Sequence, residues 1–148
     1  AEPPRALVDT SVWISAFINQ QGFPARVLDA LAEGRFVPVI SLPLLREIVE
    51  VASRDRVRRR IQQPEEQIAR FLRLIVEAAD VVTPTGTVHL CRDAKDDIFL
   101  ETALIGRAAF AVSRDDDWKR DLNLIGYLRD EGVTVLSVAQ FLAMLEQQ

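Results

Sequence analysis

The fold of this chain is decided by the stretch Arg5-Ala6-Leu7-Val8-Asp9-Thr10-Ser11-Val12-Trp13-Ile14. A short apolar run leads directly into a carboxylate, two hydroxyls and a second apolar run, which predicts a buried strand that ends at Asp9 and a helix that follows it. In open α/β sheets, ligands bind beyond the carboxyl ends of the strands, so Asp9 is a candidate site residue. An aspartate at this position could equally cap the helix. The stretch alone leaves both interpretations open.

Length and composition predict one ordinary globular domain. The chain has 148 residues, of which 49% are hydrophobic and 27% charged, and it contains no linker long enough to divide it, so we expect a single domain over residues 1–148. No apolar stretch reaches the roughly 18 residues of a membrane span, and the N-terminus lacks the pattern of a signal peptide. The single cysteine, Cys91, excludes an internal disulfide. We therefore expect a cytoplasmic protein with no membrane contact.

Short apolar runs alternate with segments of helical periodicity along the rest of the chain. Further strands are predicted at residues 36–40, 81–82, 108–113 and 133–136. Apolar stripes at helical spacing include Leu44, Leu45, Ile48, Val49 and Ala52, and later Ile68, Phe71, Leu72, Ile75 and Val76. Strands that alternate with helices indicate a mainly parallel sheet covered on both faces. The sequence therefore predicts the α/β class.

Acidic residues collect at strand ends or in the helices that leave them, at Asp9, at Glu47, at Asp93/Asp96/Asp97 and at Asp115/Asp116/Asp117. Because parallel strands end at the same edge of a sheet, we expect these groups to approach one another. Clustered carboxylates raise each other's pKa, and hard cations such as Mg²⁺ or Mn²⁺ relieve that repulsion. His89 and Cys91 are the only residues of their types, too few for a zinc site.

Helical phase separates the acids of the third group. Asp96 shares a face with Phe99, which should pack inward, whereas Asp97 lies on the side of Glu101, which should be solvated. We therefore prefer Asp96 as the functional acid and keep Asp97 as the alternative. Asp93 can cap the helix.

The fourth acidic group follows the strand at 108–113. Asp115 is the first acid beyond that strand and should face the cleft. Asp117 either shares this role or caps the next helix, and Asp116 should be exposed.

Positive charge is concentrated in one run, although the net charge is −4. This net charge argues against a general polyanion binder. The run contains Arg54, Arg56, Arg58, Arg59 and Arg60. Such a run is ordinarily a solvated helix face.

Four segments, in order, resemble the four motifs of PIN-domain nucleases. The first motif resembles Leu7-Val8-Asp9-Thr10-Ser11-Val12, and the second is similar to Leu44-Leu45-Arg46-Glu47-Ile48. The third is similar to residues 93–103, with Ala94 where members often carry Pro and with the Asp96-Asp97 doublet. The fourth resembles Ser113-Arg114-Asp115-Asp116-Asp117. The match covers nearly the whole chain, and four motifs in order are more specific than any one of them.

The resemblance implies a fold, an activity and partners. The fold would be an α/β/α sandwich around a five-stranded parallel sheet of order 3-2-1-4-5, which brings Asp9 and Asp115 to the switch point of the sheet. The activity would be Mg²⁺- or Mn²⁺-dependent endonuclease cleavage of RNA. Many bacterial members are VapC-type toxins of toxin–antitoxin pairs, so a small antitoxin protein and a second copy of the chain are expected partners.

Roles for individual residues follow from the resemblance. The acids expected to be catalytic and to hold one or two metal ions are Asp9, Glu47, Asp96 and Asp115, with Asp117 as an auxiliary ligand. Hydroxyls expected to support them are those of Thr10, Ser11 and Ser113. Cations expected to hold the RNA backbone are Arg54, Arg56, Arg58, Arg59, Arg60, Arg92 and Arg114. Trp13 and Trp118 could stack on bases, although both suit a core.

Two other functions fit parts of the pattern. A haloacid-dehalogenase-like aspartyl phosphatase would use Asp9 as its nucleophile, but that pattern needs a second aspartate at the position of Ser11. A catalytically inert PIN fold could serve as an RNA-binding or assembly module. The complete set of acids favours the nuclease.

Overall fold

The computed structural model describes residues 2–114 and 122–148. Its strands are β1 (Arg5–Val8), β2 (Val37–Ser41), β3 (Asp80–Val82), β4 (Phe110–Ser113) and β5 (Thr134–Ser137). The helices of these residues are α1 (Thr10–Ile18), α2 (Phe23–Ala32), α3 (Leu42–Ser53), α4 (Asp55–Arg58), α5 (Glu65–Ala78), α6 (Ala94–Ile105), α7 (Leu122–Asp130) and α8 (Val138–Glu146). Among these helices, none combines the length and the apolarity that crossing a bilayer requires.

The strands form one parallel sheet of order β3-β2-β1-β4-β5, which confirms the predicted α/β fold and strand order. The chain runs outward from β1 through β2 to β3 and then returns to the other side of β1 with β4. The switch point therefore lies between β1 and β4, where the sheet leaves a crevice at its carboxyl edge. The Asp9 N–H donates to the Val112 carbonyl at 2.8 Å, so the pairing of the two strands extends to Asp9.

Apolar side chains of the strands and helices form the core. Trp13 is 1% exposed, so it is a core residue and its ring is not available to stack on a base. Gly106, at the end of α6, marks a close approach of helix and sheet, because a Cβ there would overlap Cγ1 of Val39. Arg5 of β1 also contacts the end of α6. Its Nε donates to the Gly106 carbonyl at 2.9 Å, and its guanidinium pairs with Asp80 of β3.

Two apolar stripes are less buried than their periodicity predicts. Val49 of α3 is 44% exposed and Val76 of α5 is 40% exposed, whereas Ile48 and Ile75 are buried. Val49 lines an open groove of about 500 Å³ between α3 and α5, which leaves that flank of α3 uncovered. Helix α4 carries Arg56 and Arg58, both exposed, which agrees with the interpretation of the arginine run as a solvated helix face.

Candidate active site

The carboxylate of Asp9 lies at the carboxyl end of β1 and is turned toward β4. Its Oδ2 accepts hydrogen bonds from Ser113 Oγ at 3.2 Å and from Ser11 Oγ at 3.4 Å. Within the described residues it makes no capping hydrogen bond to α1, although Asp9 occupies the N-cap position. The side chain is 5% exposed. Two hydroxyls therefore orient a buried carboxylate at the switch point, which favours the site interpretation of Asp9 over the capping one.

Asp96 is placed by the first turn of α6. Asp93 caps that helix, as predicted, because its Oδ1 accepts the Lys95 N–H at 2.9 Å. Asp96 is then the third helical residue and is 3% exposed. The positive end of the helix dipole favours a carboxylate at this position. Asp96 therefore lines a cleft from the first turn of α6.

Glu47, half-buried on α3, lies where two clefts meet. The first, which we call the α6 cleft, has a volume of about 420 Å³ and is also lined by Asp96. The second, the α1 cleft, has a volume of about 550 Å³ and is also lined by Thr10 and Ser11. Glu47 therefore lines one cleft together with Asp96 and the other cleft together with Thr10 and Ser11, the residues that follow Asp9.

Asp97 is buried, and the prediction that it would be solvated is wrong. Its Oδ1 accepts the Cys91 N–H at 2.7 Å and the Leu90 N–H at 3.0 Å. The hydrogen bond from the Cys91 amide lowers the pKa of Asp97, and this effect exceeds the opposing effect of desolvation. This carboxylate therefore holds a loop in place, which distinguishes it from Asp96 one residue earlier.

Glu101 is the second buried acid on that side of α6, with 4% exposure. It accepts the backbone N–H groups of Thr85 and Gly86, the latter at 3.0 Å. Asp97 and Glu101 together fasten the loop of residues 83–93 to α6. The sequence interpretation missed this because helical phase shows which residues share a face, but not that a distant loop folds back over that face.

Cations border both clefts. Arg54, Arg92 and Lys95 line the α6 cleft, and Arg60 and Arg114 line the α1 cleft. Arg114 Nη1 donates to Ser15 Oγ at 3.2 Å, which holds its guanidinium against α1.

The arginines that were predicted to hold the RNA backbone therefore do not all lie at the two clefts. Arg54 lines a cleft but pairs with Glu50 at 2.9 Å, and Arg58 pairs with Glu65. Arg56 and Arg59 are exposed and are not among the residues that line the two clefts.

The described residues alone do not form a closed metal site. Residues 2–114 and 122–148 contain no group of three or more Asp, Glu, His or Cys residues close enough to hold a metal ion. Two predicted ligands, Asp115 and Asp117, lie outside the described residues. The carboxylates of Asp9, Glu47 and Asp96 are oxygen donors, and oxygen is the donor that Mg²⁺ and Mn²⁺ prefer. The chemistry of the donor set therefore fits a hard divalent cation.

Comparison with known proteins agrees with this arrangement. A family model described as PIN domain matches residues 5–117, a range that contains Asp9, Glu47 and Asp96. The chain is also 28% identical over 112 residues to the uncharacterized protein MJ1680 of Methanocaldococcus jannaschii, an alignment that covers 76% of this chain and 72% of that protein. The matched range, together with the sheet order 3-2-1-4-5, shows that the chain belongs to the PIN domain family, whose members are generally nucleases that use divalent metals.

Proposed function

We propose that this chain is a divalent-metal-dependent endoribonuclease that hydrolyses RNA phosphodiester bonds. The observation that carries the proposal is that α3 and α6 direct Glu47 and Asp96 into one cleft with a cationic rim. Acids and cations that line the same cleft suit a phosphodiester, because the acids can hold a metal while the cations hold the flanking phosphates. Membership of a family of nucleases supports the same activity.

Asp9, Glu47 and Asp96 would hold Mg²⁺ or Mn²⁺, and the proposed ligand set also includes Asp115 and Asp117. When bound, such an ion supplies positive charge that lowers the pKa of a water molecule and offsets the charge of the phosphate oxygens. We prefer Asp96 to Asp97 as a ligand because Asp97 Oδ1 already accepts two backbone N–H groups.

The supporting residues orient these acids and the substrate. Ser113 and Ser11 donate to the same oxygen of Asp9, so they restrict the rotation of the carboxylate. Arg92 and Lys95 flank Asp93 and Asp96 at the start of α6 and would bind phosphate oxygens of the RNA.

The biological role that we propose is that of a toxin in a toxin–antitoxin pair. The support for this role is the resemblance of the four sequence motifs to PIN-domain nucleases, many bacterial members of which are VapC-type toxins. A small antitoxin protein would then be the inhibitor, a homodimer the active assembly and the cytoplasm the place of action. Induced expression should arrest growth, and a cognate antitoxin, sought among small proteins encoded next to this chain, should relieve the arrest on co-expression. Growth that continues normally despite accumulation of the protein would contradict the role.

The activity is tested with labelled single-stranded RNA. We expect cleavage with Mg²⁺ or Mn²⁺ and none with a chelator. Asp9→Asn and Asp96→Asn should each lose at least about a hundredfold in rate, since loss of a residue that merely orients a metal ligand already costs 10–100-fold. Asp29→Asn, which changes an exposed aspartate of α2 in the same way, is the control and should cleave normally.

Three results would point elsewhere. Equal cleavage by the wild type, Asp9→Asn and Asp96→Asn would contradict the assignment of the acids. RNA binding without metal, combined with no cleavage, would favour the inert module. A covalent phosphoryl adduct on Asp9 would favour the aspartyl phosphatase.

A further inference from the structure

The two clefts that meet at Glu47 differ in chemistry. The α6 cleft is lined by three cationic side chains, three acidic ones and a single aliphatic one, Val51. The α1 cleft has a largely aliphatic floor, formed by Ile14, Ile18, Val51 and Val57. In such a charged cleft the cations can hold phosphate groups while the acids hold a metal ion. An aliphatic floor suits a flat, largely apolar group such as a nucleobase, and the volume of about 550 Å³ is that of an ordinary ligand site.

The rim of the α1 cleft carries polar groups that are held in place. The hydrogen bond from Arg114 Nη1 to Ser15 Oγ fixes a planar guanidinium at the rim. Asn19 Oδ1 accepts the Gln21 N–H at 3.0 Å, which orients the Asn19 amide. Guanidinium planes stack on unpaired bases, and amides form hydrogen bonds with base edges. An apolar floor with an oriented polar rim is the combination that recognises a base.

We propose that the α1 cleft binds the base and ribose of one unpaired nucleotide next to the phosphodiester that is cleaved. This inference rests on the proposed ribonuclease function and adds a subsite for one base beside the cut. A paired base cannot enter, because base pairing and stacking cover the surfaces that the cleft would contact. Glu47 borders both clefts, so a base in the α1 cleft leaves its phosphate beside the acids.

Nucleotide binding by the wild-type protein tests the inference without relying on activity. The ¹⁵N-labelled protein is titrated with each of the four nucleoside 5′-monophosphates and with ribose 5-phosphate. We expect at least one nucleotide to bind about tenfold more tightly than the sugar phosphate, because burial of the base removes apolar surface from water. The amide resonances of Ser15 and Asn19 should shift. Equal affinity for nucleotide and sugar phosphate would overturn the inference.

A matched pair of substitutions locates the bound base. Ile18 ends α1 and lines the cleft, whereas Ile105 ends α6, is 42% exposed and is not among the lining residues of either cleft. Ile18→Trp should fill the floor and abolish the tenfold preference, and Ile105→Trp should retain it. If Ile18→Trp does not fold, Asn19→Ala at an exposed position replaces it and should weaken the preference. A preference unchanged in both cleft variants would overturn the inference.

Cleavage of RNA with one abasic nucleotide separates this inference from the proposed function. Slower cleavage when the abasic nucleotide flanks the cut supports the base site. Normal cleavage at every abasic position would overturn the base site while the ribonuclease activity stands. Nucleotide binding in the α1 cleft without metal-dependent cleavage of any RNA would overturn the ribonuclease activity while the base site stands.

Discussion

Ser113 Oγ donates a hydrogen bond to Oδ2 of Asp9 at 3.2 Å, although 104 residues separate the two in the chain. The two side chains belong to the ends of adjacent strands, β4 and β1, at the switch point of the sheet. Both are buried, with exposures of 0% and 5%, so little solvent competes for the bond. The fold thus fixes the orientation of one proposed metal ligand through a residue of a different motif.

Removal of that hydroxyl should reduce activity more than stability. We expect Ser113→Ala to lower kcat/KM by about 10–100-fold, because the carboxylate of Asp9 loses the donor that orients it. The free energy of unfolding should fall by only about 1 kcal/mol. Steady-state cleavage and urea unfolding measure the two effects. Ser11→Ala is the matched control and should cost less, since its bond is longer at 3.4 Å. An unchanged kcat/KM for Ser113→Ala would refute the orienting role.

Substitution of Asp97 should reduce mainly stability, whereas substitution of its neighbour Asp96 should reduce mainly activity. Asp97→Ala leaves the amides of Leu90 and Cys91 without their acceptor, so we expect a clear fall in the thermal unfolding midpoint. Asp96→Asn should abolish cleavage with a smaller change in that midpoint. Calorimetry and a cleavage assay on both variants make the comparison. Full activity in Asp96→Asn, with loss confined to an Asp97→Asn variant, would reverse the assignment of the ligand.

Glu101 should control the order of the loop at residues 83–93. In Glu101→Ala the amides of Thr85 and Gly86 lose a buried carboxylate acceptor, so we expect a loss of about 2 kcal/mol in the free energy of unfolding. Hydrogen exchange at these two amides should accelerate in the native state. Glu101→Gln keeps an acceptor oxygen and should show a smaller effect. Unchanged exchange at both amides in Glu101→Ala would contradict the contact.

Gly106 should tolerate no side chain. The Cβ of Gly106→Ala would overlap Cγ1 of Val39, and overpacking of this kind costs about 1–3 kcal/mol. Gly126→Ala in α7 is the matched control. It meets no atom within 4 Å and should stabilise the protein by about 0.5–1 kcal/mol through helix propensity. Val39→Ala should relieve the Gly106→Ala defect, so the double mutant should lose less than the sum of the two single losses.

The architecture was predictable because it rests on local patterns. Short apolar runs between amphipathic segments predicted a parallel α/β sheet, and the resemblance supplied the order that the structure confirms. Asp93 as a cap was also predicted correctly from its position along the chain. These features depend on residues close in sequence or on the period of one helix.

The errors concern contacts between distant segments. Asp97 and Glu101 are buried because a loop from residues 83–93 donates backbone N–H groups to them, and no periodicity carries that information. Val49 is exposed because α3 and α5 do not close the groove that it lines, and Val76, which does not line that groove, is exposed as well. The roles predicted for Asp115, Asp117 and Trp118 fall outside the described residues and stay predictions.

The central claim is that Asp9, Glu47 and Asp96 take part in one metal site, and anomalous scattering from crystals grown with Mn²⁺ tests it most directly. We expect a Mn²⁺ peak within coordination distance of the carboxylates of Asp9 and Asp96, at the mouth of the cleft that Glu47 lines. The peak should vanish in crystals of Asp96→Asn and persist in crystals of Asp29→Asn. A peak only at surface acids such as Asp93 or Glu50, or no peak at saturating Mn²⁺, would contradict the claim.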